Sequence, residues 1–260
     1  MNPPVSAAII TKNEQANIER CLKSLAWVDE IVVVDSGSTD QTLDICRRYN
    51  CRVVEGPWLG YGPNKRLAVN STSNDWVLAV DADEEVTREL AREIQAVLSS
   101  HRPESGVNGY KIRWRSMYLG KWIRHSGWSS FYKLKLFRRS KGNYTEDVMH
   151  ETVKLEGKFG RLSSPLNHYT YPDRATVARK MEANTTMAAE VLWSRGKRPG
   201  RLAPYVHGGW TFLRMYVLKV GFLDGGIGLV LARDYARTVY LKYAKCRARA
   251  RATEGGTGRP

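Results

Sequence analysis

Apolar residues in the first hundred positions come in short runs separated by amphipathic segments. Val5 to Thr11, Glu30 to Asp35, Arg52 to Glu55 and Trp76 to Asp81 are strand-like, being short, rich in β-branched residues and bounded by polar or turn-forming ones. Between them Ile18, Leu22 and Leu25 recur at helical spacing, and Leu43 with Cys46 follows a Ser38-Thr39-Asp40 cluster suited to capping a helix. A further helical stripe, Val86, Leu90, Ile94 and Val97, has Thr87 as its N-cap. Alternating strands and helices predict an α/β fold with a mostly parallel, twisted sheet flanked by helices. Later, Gly109 to Arg115 and Lys133 to Phe137 alternate polar and apolar residues, which predicts added antiparallel strands.

Two more helical stripes close the pattern: Trp210, Leu213, Val217 and Val220, then Leu231, Tyr235 and Val239, joined through Asp224-Gly225-Gly226. Arg214, Lys219, Asp224 and Arg233 interrupt them, so no apolar run reaches the roughly 20 residues that span a bilayer. Residues 247–260, rich in Arg, Ala, Gly and Thr, are expected to be disordered.

Charge changes the picture of this region. The chain of 260 residues carries a formal +15, and residues 161–260 hold 18 Lys/Arg against 6 Asp/Glu. A basic, aromatic-rich amphipathic helix pair either lies on an anionic membrane surface or packs on the catalytic domain or in a homo-oligomer. Cys21, Cys46, Cys51 and Cys246 lack zinc or disulfide spacing, and no basic-then-apolar leader precedes the first strand, so a cytoplasmic protein is expected.

Ligands of open α/β sheets bind beyond the carboxyl ends of the strands. Those ends read Thr11-Lys12-Asn13-Glu14, Asp35-Ser36-Gly37-Ser38-Thr39-Asp40 and Asp81-Ala82-Asp83-Glu84. Short carboxylate, hydroxyl and amide side chains can read a base and ribose. Two aspartates one residue apart suit a hard cation, Mg²⁺ or Mn²⁺, that keeps positions open for substrate phosphates. No Gly-x-Gly-x-x-Gly follows the first strand and no Walker Gly-Lys-Ser occurs, which disfavours a dinucleotide fold or a P-loop NTPase.

In this order and spacing, Ile9-Ile10-Thr11-Lys12-Asn13-Glu14, Val32-Val33-Val34-Asp35-Ser36-Gly37-Ser38-Thr39-Asp40-Gln41-Thr42 and Asp81-Ala82-Asp83-Glu84 resemble the N-terminal half of a family 2 glycosyltransferase with the GT-A fold. The later part resembles the bacterial branch that adds glucose or a related sugar to the lipopolysaccharide inner core. That likeness rests on His150-Glu151, Leu166-Asn167-His168-Tyr169, Gly221-Phe222-Leu223-Asp224-Gly225 and Leu241-Lys242-Tyr243-Ala244-Lys245.

The resemblance implies a UDP-sugar donor, with Thr11, Asn13 and Glu14 lining the nucleoside site and Asp35 and Ser36 beside the base or ribose. Asp83, with Asp81 nearby and Ala82 between them, would hold the divalent cation and the diphosphate. His150 would complete the metal shell, contact a phosphate or be a structural histidine. Lys65 falls where the family has a basic residue near the phosphates, and Arg66 stands where an asparagine is usual, so either cation can face the pocket. Members invert configuration, which requires a base for the acceptor hydroxyl. The acidic segment Thr145 to Glu151 supplies it, with Glu151 the first choice and Asp147 the second. His168 is a further pocket candidate, and Trp122 and Trp128 are candidates for stacking on a sugar.

The expected organisation is a GT-A domain over 1–200, with a nucleotide-sugar half over 1–100 and an acceptor half over 101–200. A basic membrane-associating or dimerising region over 201–246 and the tail follow. The expected reaction moves a hexose to a lipid-linked or lipopolysaccharide-type glycan at the cytoplasmic face of the inner membrane. A nucleotidyltransferase would share the sheet and carboxylates but needs a glycine-rich basic loop that Thr11 to Glu14 lacks. A nucleic-acid binder would explain the charge, yet no recognised module is present.

Overall fold

The computed structural model describes residues 3–128, 131–147 and 151–255. They form two compact units, Met1–Arg115 with Ser130–His168, and Ser116–Ser129 with Tyr169–Pro260. The second unit takes in Ser116–Ser129 as well as the chain from Tyr169 onward.

Strands β1 (Val5–Thr11), β2 (Glu30–Asp35), β3 (Arg52–Glu55) and β4 (Trp76–Asp81) alternate with helices α1 (Ile18–Ser24), α2 (Thr42–Arg48) and α3 (Tyr61–Asn70). The strands lie parallel in the order β3-β2-β1-β4. The runs of β1, β2 and β4 are largely apolar because both faces are covered, whereas β3, at the sheet edge, is half-exposed. Ile9, Val33, Leu78 and Val80 pack with Ile18 and Leu22 of α1, whereas Ile10, Val34, Val77 and Ala79 pack with Ala68 and Val69 of α3.

After β4 the chain turns into β5 (Glu84–Val86) and helix α4 (Arg88–Ser99), whose N-cap Thr87 accepts the Leu90 amide at 3.2 Å. The following strands are β6 (Val107–Tyr118), β7 (Lys121–Trp122), β8 (Tyr132–Arg138), β9 (Gly142–Tyr144), β10 (Val153–Leu155) and β11 (Lys158–Tyr171). β8 lies antiparallel to β4 and β6 antiparallel to β8, so the alternating segments do extend the sheet as expected. β11 follows β6 in the sheet and β5 closes its far edge, pairing antiparallel so that His168 stands opposite Glu84.

In the second unit, β7 pairs with the end of β6 through Met117 and Trp122. Helices α5 (Arg174–Ser194) and α6 (Ala203–Leu213) both pack on α7 (Gly226–Gly255). Tyr118, Ile123, Trp128, Val177, Met215, Leu231 and Ala232 form the core. Trp128 is thus a core residue with Tyr118, Tyr171 and Tyr235 around its ring, which withdraws it as a sugar platform. Trp122 packs edge-on against Tyr169.

Asp234, buried on α7, accepts the Tyr118 hydroxyl at 2.6 Å and pairs with Arg174 at 2.5 Å. Asp224, within the Gly221 to Gly225 motif, accepts the amides of Arg124 and His125 at 3.2 and 2.9 Å. The link between α6 and α7 bends earlier than the sequence suggests, at Val220, whose φ is +46°. Helix α7 also runs on to Gly255 where disorder was expected from Arg247, because Ala and Arg are among the strongest helix formers. Among the described residues no helix is long and apolar enough to cross a membrane.

Candidate active site

The parallel register sets Thr11 beside Asp35 and Ile10 beside Asp81, bringing three polar strand ends to one edge. Asp35 is fully buried and builds the loop that follows it, accepting the amides of Gly37 and Ser38 at 2.9 and 2.8 Å as well as the Ser38 hydroxyl. That turn needs Gly37, whose φ is +83°. Asn13 ties the first loop to the second: its amide donates to Ser38 Oγ at 2.9 Å and its Oδ1 accepts the Thr39 amide at 2.8 Å. The Glu14 amide donates to Thr42 Oγ1 at 2.9 Å, and its carboxylate accepts from Asn17 Nδ2 at 2.8 Å. Ser36 Oγ accepts from Asn64 Nδ2 at 3.0 Å. The five residues expected at the nucleoside site are therefore neighbours. The buried Thr11 hydroxyl makes no hydrogen bond among the described residues.

Next to this edge lies a chain of charges. Lys65 Nζ is 2.9 Å from Asp81 Oδ1 and 2.9 Å from Glu151 Oε1. Lys135 Nζ is 2.9 Å from Asp81 Oδ2 and 2.8 Å from Glu84 Oε2, which also accepts the Asp81 amide at 2.8 Å. Burial pushes the Asp81 carboxyl up, but Lys135 and Lys65 override it and hold the group far below the usual carboxylate range. Burial pushes both lysines down, and the surrounding negative charge, Asp81 foremost, returns them above the ordinary amine value. Glu84 is raised, with burial outweighing the pull of Lys135.

This arrangement bears on one point the sequence left open and on one it expected, a cation shared by Asp81 and Asp83. Of the two adjacent cations, Lys65 joins the carboxylates, whereas Arg66 donates to the Tyr144 carbonyl at 3.1 Å and lies 3.9 Å from Glu146. Asp81 and Asp83 are not presented together to one ion, because an ammonium occupies each Asp81 oxygen. Ala82, between them, is buried.

Asp83 instead faces β11, where its Oδ2 is 3.5 Å from His168 Nε2. The His168 ring lies against Trp114 at 4.6 Å between centroids. Burial pushes the imidazole down, but Asp83, Glu84 and Asp81 outweigh that and raise it. One carboxylate and one imidazole converging here fit a divalent cation that draws the rest of its shell from phosphates and water. Among the described residues no group of three or more His, Cys, Asp or Glu could hold a metal unaided. His150, expected as a ligand, lies outside the described residues.

Glu151 is mostly buried against Lys65. Asp147 has an exposed side chain, and its carbonyl accepts the Gly62 amide at 3.2 Å. A Cβ at Gly62 would collide with the Thr145 and Asp147 carbonyl oxygens, so glycine is required for α3 to approach this segment.

Lys135, Glu84 and Trp114 are site residues that sequence reasoning did not single out. The available signal was a lysine at alternate positions of an otherwise apolar strand, Tyr132-Lys133-Leu134-Lys135-Leu136-Phe137, which places an ammonium inside the sheet near buried carboxylates.

Comparison with known proteins gives the family and the fold. A glycosyltransferase of Rickettsia typhi is 32% identical over 259 residues, covering 94% of this chain and 86% of its own. The lipopolysaccharide core biosynthesis glycosyltransferase LpsC of Rhizobium meliloti is 29% identical over 255 residues, covering 93% of each. The crystal structure of Staphylococcus aureus TarS 1–349 in complex with UDP-GlcNAc matches with a TM-score of 0.50 at 16% identity, over 96% of this chain and 92% of that one, a likeness of fold. The sequence model for glycosyl transferase family 2 matches residues 6–153. With a GT-A α/β fold and a family match across more than half its length, the chain belongs to glycosyl transferase family 2.

Proposed function

We propose that the protein is a cation-dependent inverting glycosyltransferase that moves a hexose from a UDP-sugar to a hydroxyl of a lipid-linked glycan of the lipopolysaccharide-core type. The observation that carries this reading is the Lys65 bridge, with 2.9 Å to Asp81 on one side and 2.9 Å to Glu151 on the other. It supports Glu151 as the base, next to the strand edge where nucleotides bind in open α/β sheets. The similarity to LpsC supports the acceptor class.

Thr11, Asn13 and Glu14 line the nucleoside site, on loops that Asp35 and Ser36 hold in place. Asp83 and His168 would hold Mg²⁺ or Mn²⁺, which when bound neutralises charge developing on the leaving diphosphate. The acceptor oxygen attacks the anomeric carbon from the face opposite the diphosphate, and the bond from that carbon to the phosphate oxygen breaks with its electron pair leaving on UDP. Glu151 takes the acceptor proton. Lys65 orients Glu151, and Lys135 compensates the charges of Asp81 and the buried Glu84.

The second unit supports a peripheral position at an anionic membrane. Leu202, Tyr205, Val206, Trp210 and Leu213 are exposed on and beside α6, Leu202 at 72% and Trp210 at 54%. Arg201 and Arg214 flank them. Apolar groups interleaved with cations suit the boundary between headgroups and acyl chains.

The test is transfer from a panel of UDP-hexoses to extracted lipid-linked core glycans, with the anomeric configuration of the product read by NMR. An inverted product and released UDP are expected. A retained configuration would remove the single-displacement reading, and release of hexose 1-phosphate in place of UDP would replace it with nucleotidyl transfer.

A further inference from the structure

The geometry points to an acceptor sugar that carries an oxyanion, a phosphate ester or a carboxylate, bound in the pocket on which Glu151 opens. This deepens the glycosyltransferase reading and rests on it. The pocket encloses about 490 Å³ and includes Lys65, Lys135 and Glu151 in its wall, but none of Thr11, Asn13, Asp35 or Asp83. It is thus contiguous with the proposed base and separate from the residues of the nucleoside edge.

Four lysines and one carboxylate line it. The inner two lysines are compensated, Lys65 by Asp81 and Glu151 and Lys135 by Asp81 and Glu84. The outer two are not: among the described residues neither Lys111 nor Lys133 forms an ion pair. Each lies over an aromatic ring, Lys111 Nζ 4.0 Å from the Phe159 centroid and Lys133 Nζ 5.7 Å from that of Trp114. A ring face positions an ammonium without neutralising it. Two uncompensated cations in a concavity walled by aromatic rings focus positive potential where a substrate enters.

Phe131 and Phe159 are exposed at 55% and 47% on the same pocket. Exposed rings beside fixed cations match a ligand with an apolar sugar face and an anionic edge. A neutral glycan would leave both ammonium groups unanswered. A free phosphate would leave the rings uncovered.

The test measures binding of glucose 6-phosphate, glucuronate, glucose and inorganic phosphate to the full chain by NMR titration, with UDP and Mn²⁺ present. Both anionic sugars are expected to bind at least about tenfold more tightly than glucose, the size of one charge-assisted hydrogen bond, and more tightly than inorganic phosphate. K111M/K133M is expected to abolish that preference, and K111R/K133R to keep it. Equal binding of glucose, no binding of either anionic sugar, or a preference that survives K111M/K133M overturns the proposal. Displacement of UDP by glucose 6-phosphate also overturns it, since the lysines would then serve the donor. UDP binding to the same samples is read separately: its absence with the sugar preference intact would sink the donor assignment while leaving the anionic pocket standing.

Discussion

Asp83 on the turn after β4 meets His168 on β11 at 3.5 Å, although the two lie far apart in sequence. The contact follows from the pairing of β5 with β11, which sets His168 opposite Glu84. Two donors are too few to hold a hard cation strongly, so the ion should arrive with the nucleotide. Mn²⁺ titrated by electron paramagnetic resonance is expected to bind weakly alone and at least about tenfold more tightly with UDP, a coupling of ordinary size. D83N and H168A should each remove the enhancement. Tight binding of Mn²⁺ without nucleotide would contradict the two-donor site.

Glu151→Gln keeps the shape and removes the base. Turnover is expected to fall by about 10² to 10⁴-fold with UDP affinity retained. Asp147→Asn, changing an exposed side chain, should leave turnover near normal. The reverse pattern would assign the base to Asp147.

Among the described residues, Lys135 is the single cation that forms ion pairs with both Asp81 and Glu84. Lys135→Met leaves Glu84 buried without its ammonium and strips Asp81 of one of two. Breaking a buried ion pair from one side costs about 3–5 kcal/mol, which urea denaturation would read as a lower midpoint. The double variant K135M/E84Q should recover part of the loss.

Much of this was legible in the sequence, and the exceptions have physical causes. β1, β2 and β4 are covered on both faces, so their apolar runs are nearly continuous and end where the sheet ends. β11 escaped because Ser163, Ser164 and Pro165, residue types that favour turns, break the apolar pattern within a strand of fourteen residues. Helix α5 escaped because its buried face carries Thr185 between Val177 and Ala189, which blurs the apolar stripe. The residues proposed for the nucleoside site could be picked out locally because they stand at or just beyond the ends of β1 and β2. The His168 pairing and the Lys135 network could not, because both depend on antiparallel registers that no local pattern encodes.

Glu93 provides a pH-dependent check on the β11 packing. Burial pushes its carboxyl up, but the amides of Ser163 and Ser164, at 2.7 and 2.8 Å, outweigh that and lower it below its ordinary value. A lowered folded pKa contributes stability above the unfolded value near 4.5, and that stability is lost as pH falls through the folded value. The stability gap between wild type and E93Q, measured by urea denaturation, should therefore be full at pH 7 and shrink below about pH 4.5. A gap that does not change with pH would show that the amides do not act through the charge.

The exposed row on α6 should govern membrane affinity. Replacing Leu202, Val206 and Trp210 by serine is expected to abolish flotation with vesicles containing anionic lipid while leaving UDP binding intact. Unchanged flotation with altered sedimentation of the protein alone would assign the face to a second copy.

The donor assignment is tested most directly by calorimetric titration of UDP and a panel of UDP-sugars, first with Mn²⁺ or Mg²⁺ and then with a chelator. The account predicts binding of UDP and of one UDP-sugar that disappears on chelation. Binding that is indifferent to the chelator, or no binding by the folded protein across the panel, would contradict it.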